Sequence, residues 1–235
     1  PVSICLGEEL TLYLHVNNKT GSFLPQTLWT PEGLAEKVGH EEYFYGIFYG
    51  GILTILAYNM LLYVSSRKST YLYYFSFVTC TLIFEFIDLG HGFNLFKDQV
   101  PIFDKKYIPL FFWLLWIAGT LYAQHLMEIK KNHPGLNIAI NGFHTLNLLC
   151  LLIAIRYDYL TTIQYVAHYG GVIVLVVLLV ALYVRYKGNK NAEFFAYAWS
   201  FNMLGFSLYS SVVAGVLPAN PAIMYAMPIG TMLEA

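Results

Sequence analysis

Residues 44–64 read FYGIFYGGILTILAYNMLLYV, a run without a single charged side chain. A helix rises about 1.5 Å per residue, so about 20 such residues cross a hydrocarbon core of about 30 Å. Comparable stretches follow at Tyr71–Gly90, Tyr107–Met127, Ile138–Ile155, Leu160–Tyr183 and Phe194–Val216, and a seventh begins near Ile223 and is still running at Ala235. The expectation is an all-α membrane protein: a seven-helix transmembrane bundle with its seventh helix truncated. Pro1 at one end and the unfinished apolar run at the other suggest a segment of a longer protein.

Composition agrees with this reading. The chain is 57% hydrophobic and only 11% charged, whereas a soluble domain carries about a quarter charged residues. A net charge of −1 and the lack of a basic stripe give no reason to expect a nucleic-acid partner. Cys5, Cys80 and Cys150 lie far apart, two of them inside apolar runs. They read as small packing residues, neither a disulfide framework nor a zinc site.

Lys and Arg placement suggests an orientation. The loops after the first, third and fifth runs hold Arg67, Lys68, Lys130, Lys131, Arg185, Lys187 and Lys190. Those after the second and fourth hold Lys97, Lys105, Lys106 and Arg156. The odd loops are therefore expected in the cytoplasm and the leading segment outside. Tyr107, Trp113, Trp116, Tyr157, Tyr159 and Tyr165 fall toward the outer ends, where aromatic rings anchor helices at headgroup depth.

Ahead of the first run, Leu10, Leu12, Leu14 and Val16 alternate with Thr11, Tyr13, His15 and Asn17, the period of a half-buried strand. Phe23–Trp29 offers a second strand, suited to an edge by Pro25. Two strands do not make a stable sheet, so they read as the last strands of an extracytoplasmic β domain whose earlier part is missing. Thr30-Pro31-Glu32 is a helix start, with a hydroxyl at the cap, Pro in the first turn and an acid after it. A short surface helix from Pro31 to about Val38 is expected to join that domain to the first span. The expected division is 1–30 for the β strands, 31–42 for the juxtamembrane linker and 43–235 for the helical domain.

Several motifs carry a resemblance. They are Tyr45–Gly51 and Ala57–Tyr63 in the first span, Ser69–Tyr74 and Gly90–Phe93 bounding the second, and Ile229–Ala235 in the last helix. Together they resemble the membrane domain of the bacterial seven-transmembrane receptors with diverse intracellular signalling modules. Leu24–Pro31 resembles the close of that family's extracellular β-sandwich domain. The resemblance implies a sensor in the bacterial inner membrane, with a small-molecule ligand taken by the missing outer domain. It also implies a cytoplasmic output such as a histidine kinase, a cyclic-dinucleotide synthase or a phosphatase elsewhere in the parent chain. A homodimer is one arrangement open to it. Only Asn59 and Glu234 carry over as matching positions.

Ionisable groups within the bilayer normally face the bundle interior and find a partner. Glu85, Asp88 and His91 follow one another at intervals of three, each about 60° around the helix from the last. His168, flanked by Tyr165 and Tyr169, reaches a similar depth on the fifth span. A Glu85–His168 pair, forming a ligand or proton site open to the outside, is one expectation; a structural cluster that fixes helix packing is the other. A second layer of Asn59, His144 and Asn202, with Glu234 on the last helix, reads as interhelical glue or as a switch in the bundle.

Catalysis is not expected within this segment, nor any cofactor or metal. His125, His144 and His168 lie at different depths, unlike paired haem ligands. A zinc site from His91, His168 and an acid would imply an intramembrane hydrolase, but no His-Glu-x-x-His motif supports it. A small-solute or proton-coupled transporter is the other alternative, with only Pro228–Gly230 hinting at a broken helix.

Overall fold

The computed structural model describes residues 27–96, 107–154, 159–213 and 225–234, together with positions 11, 13, 156, 157, 217, 218, 220 and 223; the side chains at 93, 154, 159–161, 163–171, 174, 210 and 213 fall outside that description. The expected strands at Glu9–Asn17 and Phe23–Trp29 lie almost wholly outside the described residues. No strand occurs among those that are described, and residues 27–30 are irregular.

The helices are α1 (Pro31–Ser66), α2 (Ser69–Asp88), α3 (His91–Phe96), α4 (Ile108–Leu126), α5 (Ile129–Asn132), α6 (Pro134–Ala154), α7 (Tyr159–Tyr186), α8 (Lys190–Val213) and α9 (Ala226–Glu234). Each of the six long apolar runs coincides with one of α1, α2, α4, α6, α7 and α8, and α9 falls in the seventh. Among the described residues, α1, α2 and Pro134–Ile153 of α6 are long and apolar enough to cross a membrane.

Thr30 starts α1 as its hydroxyl predicts: Gly33 N donates to Thr30 Oγ1 at 3.1 Å. The expected short helix does not end at Val38. The same helix runs on through the first span for 36 residues, about 54 Å at the usual rise. Nothing in residues 39–43 breaks it: Gly39 is tolerated within a helix, and Lys37 pairs with Glu41 one turn later at 3.6 Å. The buried residues of α1 are Phe48, Ile52, Leu56 and Asn59, a single stripe. Ile47, Leu53, Leu61 and Val64 on its other faces stay exposed. Leu148, Leu149 and Leu152 on α6, and Leu175 and Leu179 on α7, do the same. Each is about half exposed or more and would forfeit roughly 1–2 kcal/mol of burial in water, so lipid is the solvent this surface suits.

Helix α4 is the hub, packed against α2, α6, α7 and α8. Gly119 sits where a Cβ would meet the Phe77 ring at 3.1 Å and Trp199 at 3.3 Å, so its hydrogen lets three helices close around these rings. Trp113 and Trp116, expected at headgroup depth, are instead buried in this core. Trp116 lies edge-on to Trp199 with ring centroids 6.0 Å apart. A large ring with an apolar body fills the space between helices as readily as it anchors one at an interface, and here the packed interior receives both. The α7–α8 turn closes the opposite end of α4: Asn189 Nδ2 donates to Met127 O at 2.8 Å and Asn191 Nδ2 to Leu126 O at 3.2 Å. Both carbonyls lie at the helix end, where intrahelical donors run out.

Helix α9 lies against α8 more closely than side chains allow. A Cβ on Gly205 would come within 2.3 Å of Ala226 O, and one on Gly230 within 2.9 Å of Phe201 O. Gly230 on α9 and Gly205 on α8 are counterparts across this contact. Small residues that let backbones meet are the usual means of joining helices in lipid.

Candidate functional site

Two buried carboxylates hold α9 to the bundle. On α2, Glu85 is 1% exposed and accepts a hydrogen bond of 2.6 Å from Thr231 Oγ1 on α9. Its second oxygen, Oε2, has no hydrogen-bond partner among the described residues. On α9 itself, Glu234 is 9% exposed and accepts from Asn202 Nδ2 of α8 at 3.5 Å. Thr231 and Glu234 are three residues apart, so they share a face of α9 and reach two different helices from it. An unpaired charge in a dry interior is costly enough that such groups require donors or a proton.

Toward the end of α2 the polar contacts continue. Tyr209 OH of α8 donates to Asp88 Oδ2 at 2.8 Å. Gly90, at φ 79°, takes the left-handed conformation that turns the chain from α2 into α3. That turn sends His91 back over α1, where Tyr49 OH lies 2.6 Å from its Nδ1. Tyr45 packs edge-on to the same imidazole with centroids 4.5 Å apart, and Phe44 lies 4.5 Å from the Tyr225 ring. Burial pushes the His91 imidazole below its usual pKa, with the Glu41 carboxylate opposing the shift.

A separate polar cluster joins α4 to α6. Gln124 Nε2 donates to Asn137 Oδ1 at 2.6 Å and to Asn141 Oδ1 at 3.0 Å, while its Oε1 lies 3.1 Å from His144 Nε2. Since that amide oxygen only accepts, the imidazole carries its proton on Nε2.

The structure thus separates residues that the sequence grouped. Glu85, Asp88 and His91 each take a different partner: Thr231, Tyr209 and Tyr49. The side chains of Tyr165, His168 and Tyr169 lie outside the described residues, so the expected Glu85–His168 pair does too. Of the second layer, Asn202 and Glu234 meet each other. His144 belongs to the Gln124 cluster, and Asn59 Nδ2 donates to Ile55 O within its own helix at 2.9 Å. Thr231, Tyr209 and Gln124 were not singled out from sequence. Threonine and tyrosine are common in membrane helices, and only Gln124, a lone amide in an apolar run, carried a signal that could have found it.

Among the described residues, no group of three or more His, Cys, Asp or Glu side chains is placed to hold a metal ion. The arrangement consists of hydrogen bonds between helices, some holding α9 to α2 and α8 and others joining α4 to α6.

A model of the family described as 7TM diverse intracellular signalling matches residues 41–235. No curated protein and no solved structure matches the chain.

Proposed function

Because this chain belongs to the 7TM diverse intracellular signalling family, a family of membrane sensor domains linked to signalling inside the cell, we propose that it relays an extracytoplasmic event to a cytoplasmic output through its first and last helices. In this reading it crosses the bacterial inner membrane seven times, with residues before Thr30 outside, and performs no chemistry of its own. The ligand, a small molecule, acts on an outer domain that precedes the bundle. The output domain follows α9 in the parent chain. A second copy is a natural partner for such a receptor.

The observation that carries the proposal is the unbroken α1. Trp29 and Thr30 pack on its first turn, with Lys37 Nζ 5.4 Å from the Trp29 ring centroid. A single 36-residue helix carries a rotation or a piston movement from that point into the bundle without a flexible joint. At the receiving end, Thr231 and Glu234 tie α9 to α2 and α8 through polar contacts, which have alternative partners when helices shift.

The reading is tested by inserting one to four alanines between Gly39 and His40 of the intact receptor and measuring basal output in membranes. Each added residue turns the leading segment by about 100° relative to the span. Output is expected to vary with insertion length and to return toward wild type near four residues. A flat response across the series, with insertion into the membrane intact, would contradict a relay through α1.

A further inference from the structure

Between α2, α4, α8 and α9 lies a cavity of about 40 Å³, walled by phenylalanines and methionines but also by Thr81, Trp116, Trp199, Asn202 and Thr231. Two of these side chains are unsatisfied: neither Trp116 Nε1 nor Trp199 Nε1 has a hydrogen-bond partner among the described residues. Both indoles are more than nine-tenths buried. An indole N–H is a donor only, and a buried donor in a native structure is rarely left without an acceptor.

We propose that this cavity is an internal water site that joins the two indoles to the residues holding the buried carboxylates. The space exceeds the ~10–15 Å³ that one water needs, and its wall supplies the two to four polar partners that distinguish a hydrated cavity from a dry one. A water there accepts from an indole N–H. It donates to Thr231 Oγ1, which still has a lone pair while its own hydrogen goes to Glu85, or to Asn202, which holds Glu234. The largely apolar wall disfavours any full charge, and the indole N–H groups present their positive edge to a cation, so the surroundings select a neutral occupant. The site links α4, which touches neither carboxylate through its indole, to the hydrogen bonds that hold α9. It stands on the cavity and the two donors, independently of whether α1 relays a signal.

The test uses the full chain in lipid nanodiscs, with indole nitrogens labelled. Its four tryptophans, Trp29, Trp113, Trp116 and Trp199, give four Nε1–H signals, assigned by single Trp→Phe substitutions. Trp116 or Trp199 is expected to show magnetisation transfer from water as strong as that of exposed Trp29. Met203→Phe, which fills the cavity, is expected to abolish that transfer while leaving the Trp29 signal unchanged. Transfer to the two buried indoles that is absent in the wild-type chain, that comes from lipid acyl protons, or that survives Met203→Phe would overturn the water site. If Met203→Phe fails to fold, Leu115→Phe fills the same space from α4 and is read in the same way.

Discussion

Thr231 and Glu85 stand 146 residues apart in the chain and meet at 2.6 Å inside the bundle. This contact ties the last described helix to the second, and among the described residues it places one hydroxyl where it alone satisfies a buried carboxylate oxygen. Thr231→Val keeps the shape and removes the donor. Leaving a buried acceptor unsatisfied costs about 1–3 kcal/mol, and thermal unfolding in detergent is expected to show a loss of that order. Thr231→Ser, which keeps the hydroxyl, is expected to lose much less; equal losses from Val and Ser would remove the hydrogen bond from the account.

Gly205 and Gly230 let the α8 and α9 backbones touch. Gly205→Ala would drive a methyl to 2.3 Å from the Ala226 carbonyl oxygen, and overpacking of this kind costs about 1–3 kcal/mol or moves the helix. Gly50→Ala is the control, since nothing lies within 4 Å of a Cβ there. Cysteine cross-linking between α8 and α9 should fall in Gly205→Ala and stay at the wild-type level in Gly50→Ala.

Gln124 serves Asn137, Asn141 and His144 at once. Gln124→Leu strips all three of a partner across the α4–α6 boundary. Single interhelical hydrogen bonds in lipid contribute about 0.6 kcal/mol on average, so the loss of the cluster is expected to destabilise by about 1–2 kcal/mol. Gln124→Glu, which keeps the acceptor for His144, should restore part of it in the same unfolding assay.

The Tyr49–His91 contact predicts a response to pH. Tyr49 OH lies 2.6 Å from His91 Nδ1 in a partly buried setting that disfavours the charged imidazole. Burial holds the folded-state pKa of His91 below its unfolded value. As pH falls through the unfolded value, the unfolded chain takes up the proton first, so stability present above that value is lost on acidification. The unfolding midpoint is expected to drop more steeply between pH 7 and 5 (the range around the ordinary imidazole value of about 6.5) than it does in His91→Gln.

Much of the fold was legible because lipid makes the code one-dimensional: a run such as Phe44–Val64 has no alternative to a helix. The cap at Thr30 was legible for the same local reason. Partner choice was not. Glu85 announces that it needs a donor, but the sequence holds many threonines, and which one faces it depends on helix order and rotation. That Trp113 and Trp116 turn into the bundle was not legible, because an aromatic near a span end reads as an interface anchor until its neighbours are known. The continuity of α1 past Val38 was not legible, since no local signal distinguishes a surface helix that stops there from one that runs on into the span.

Glu85 and Thr231 hold α9 against α2, and in the proposed relay α9 is the unit that the output reads. The most direct measurement is a double-mutant cycle on basal output of the intact receptor, with Glu85→Leu, Thr231→Val and the two combined. Each single substitution should shift output, and the combination should shift it no further than the larger single change, since both sever the same contact. Singles without effect, or a combined shift equal to their sum, would contradict it.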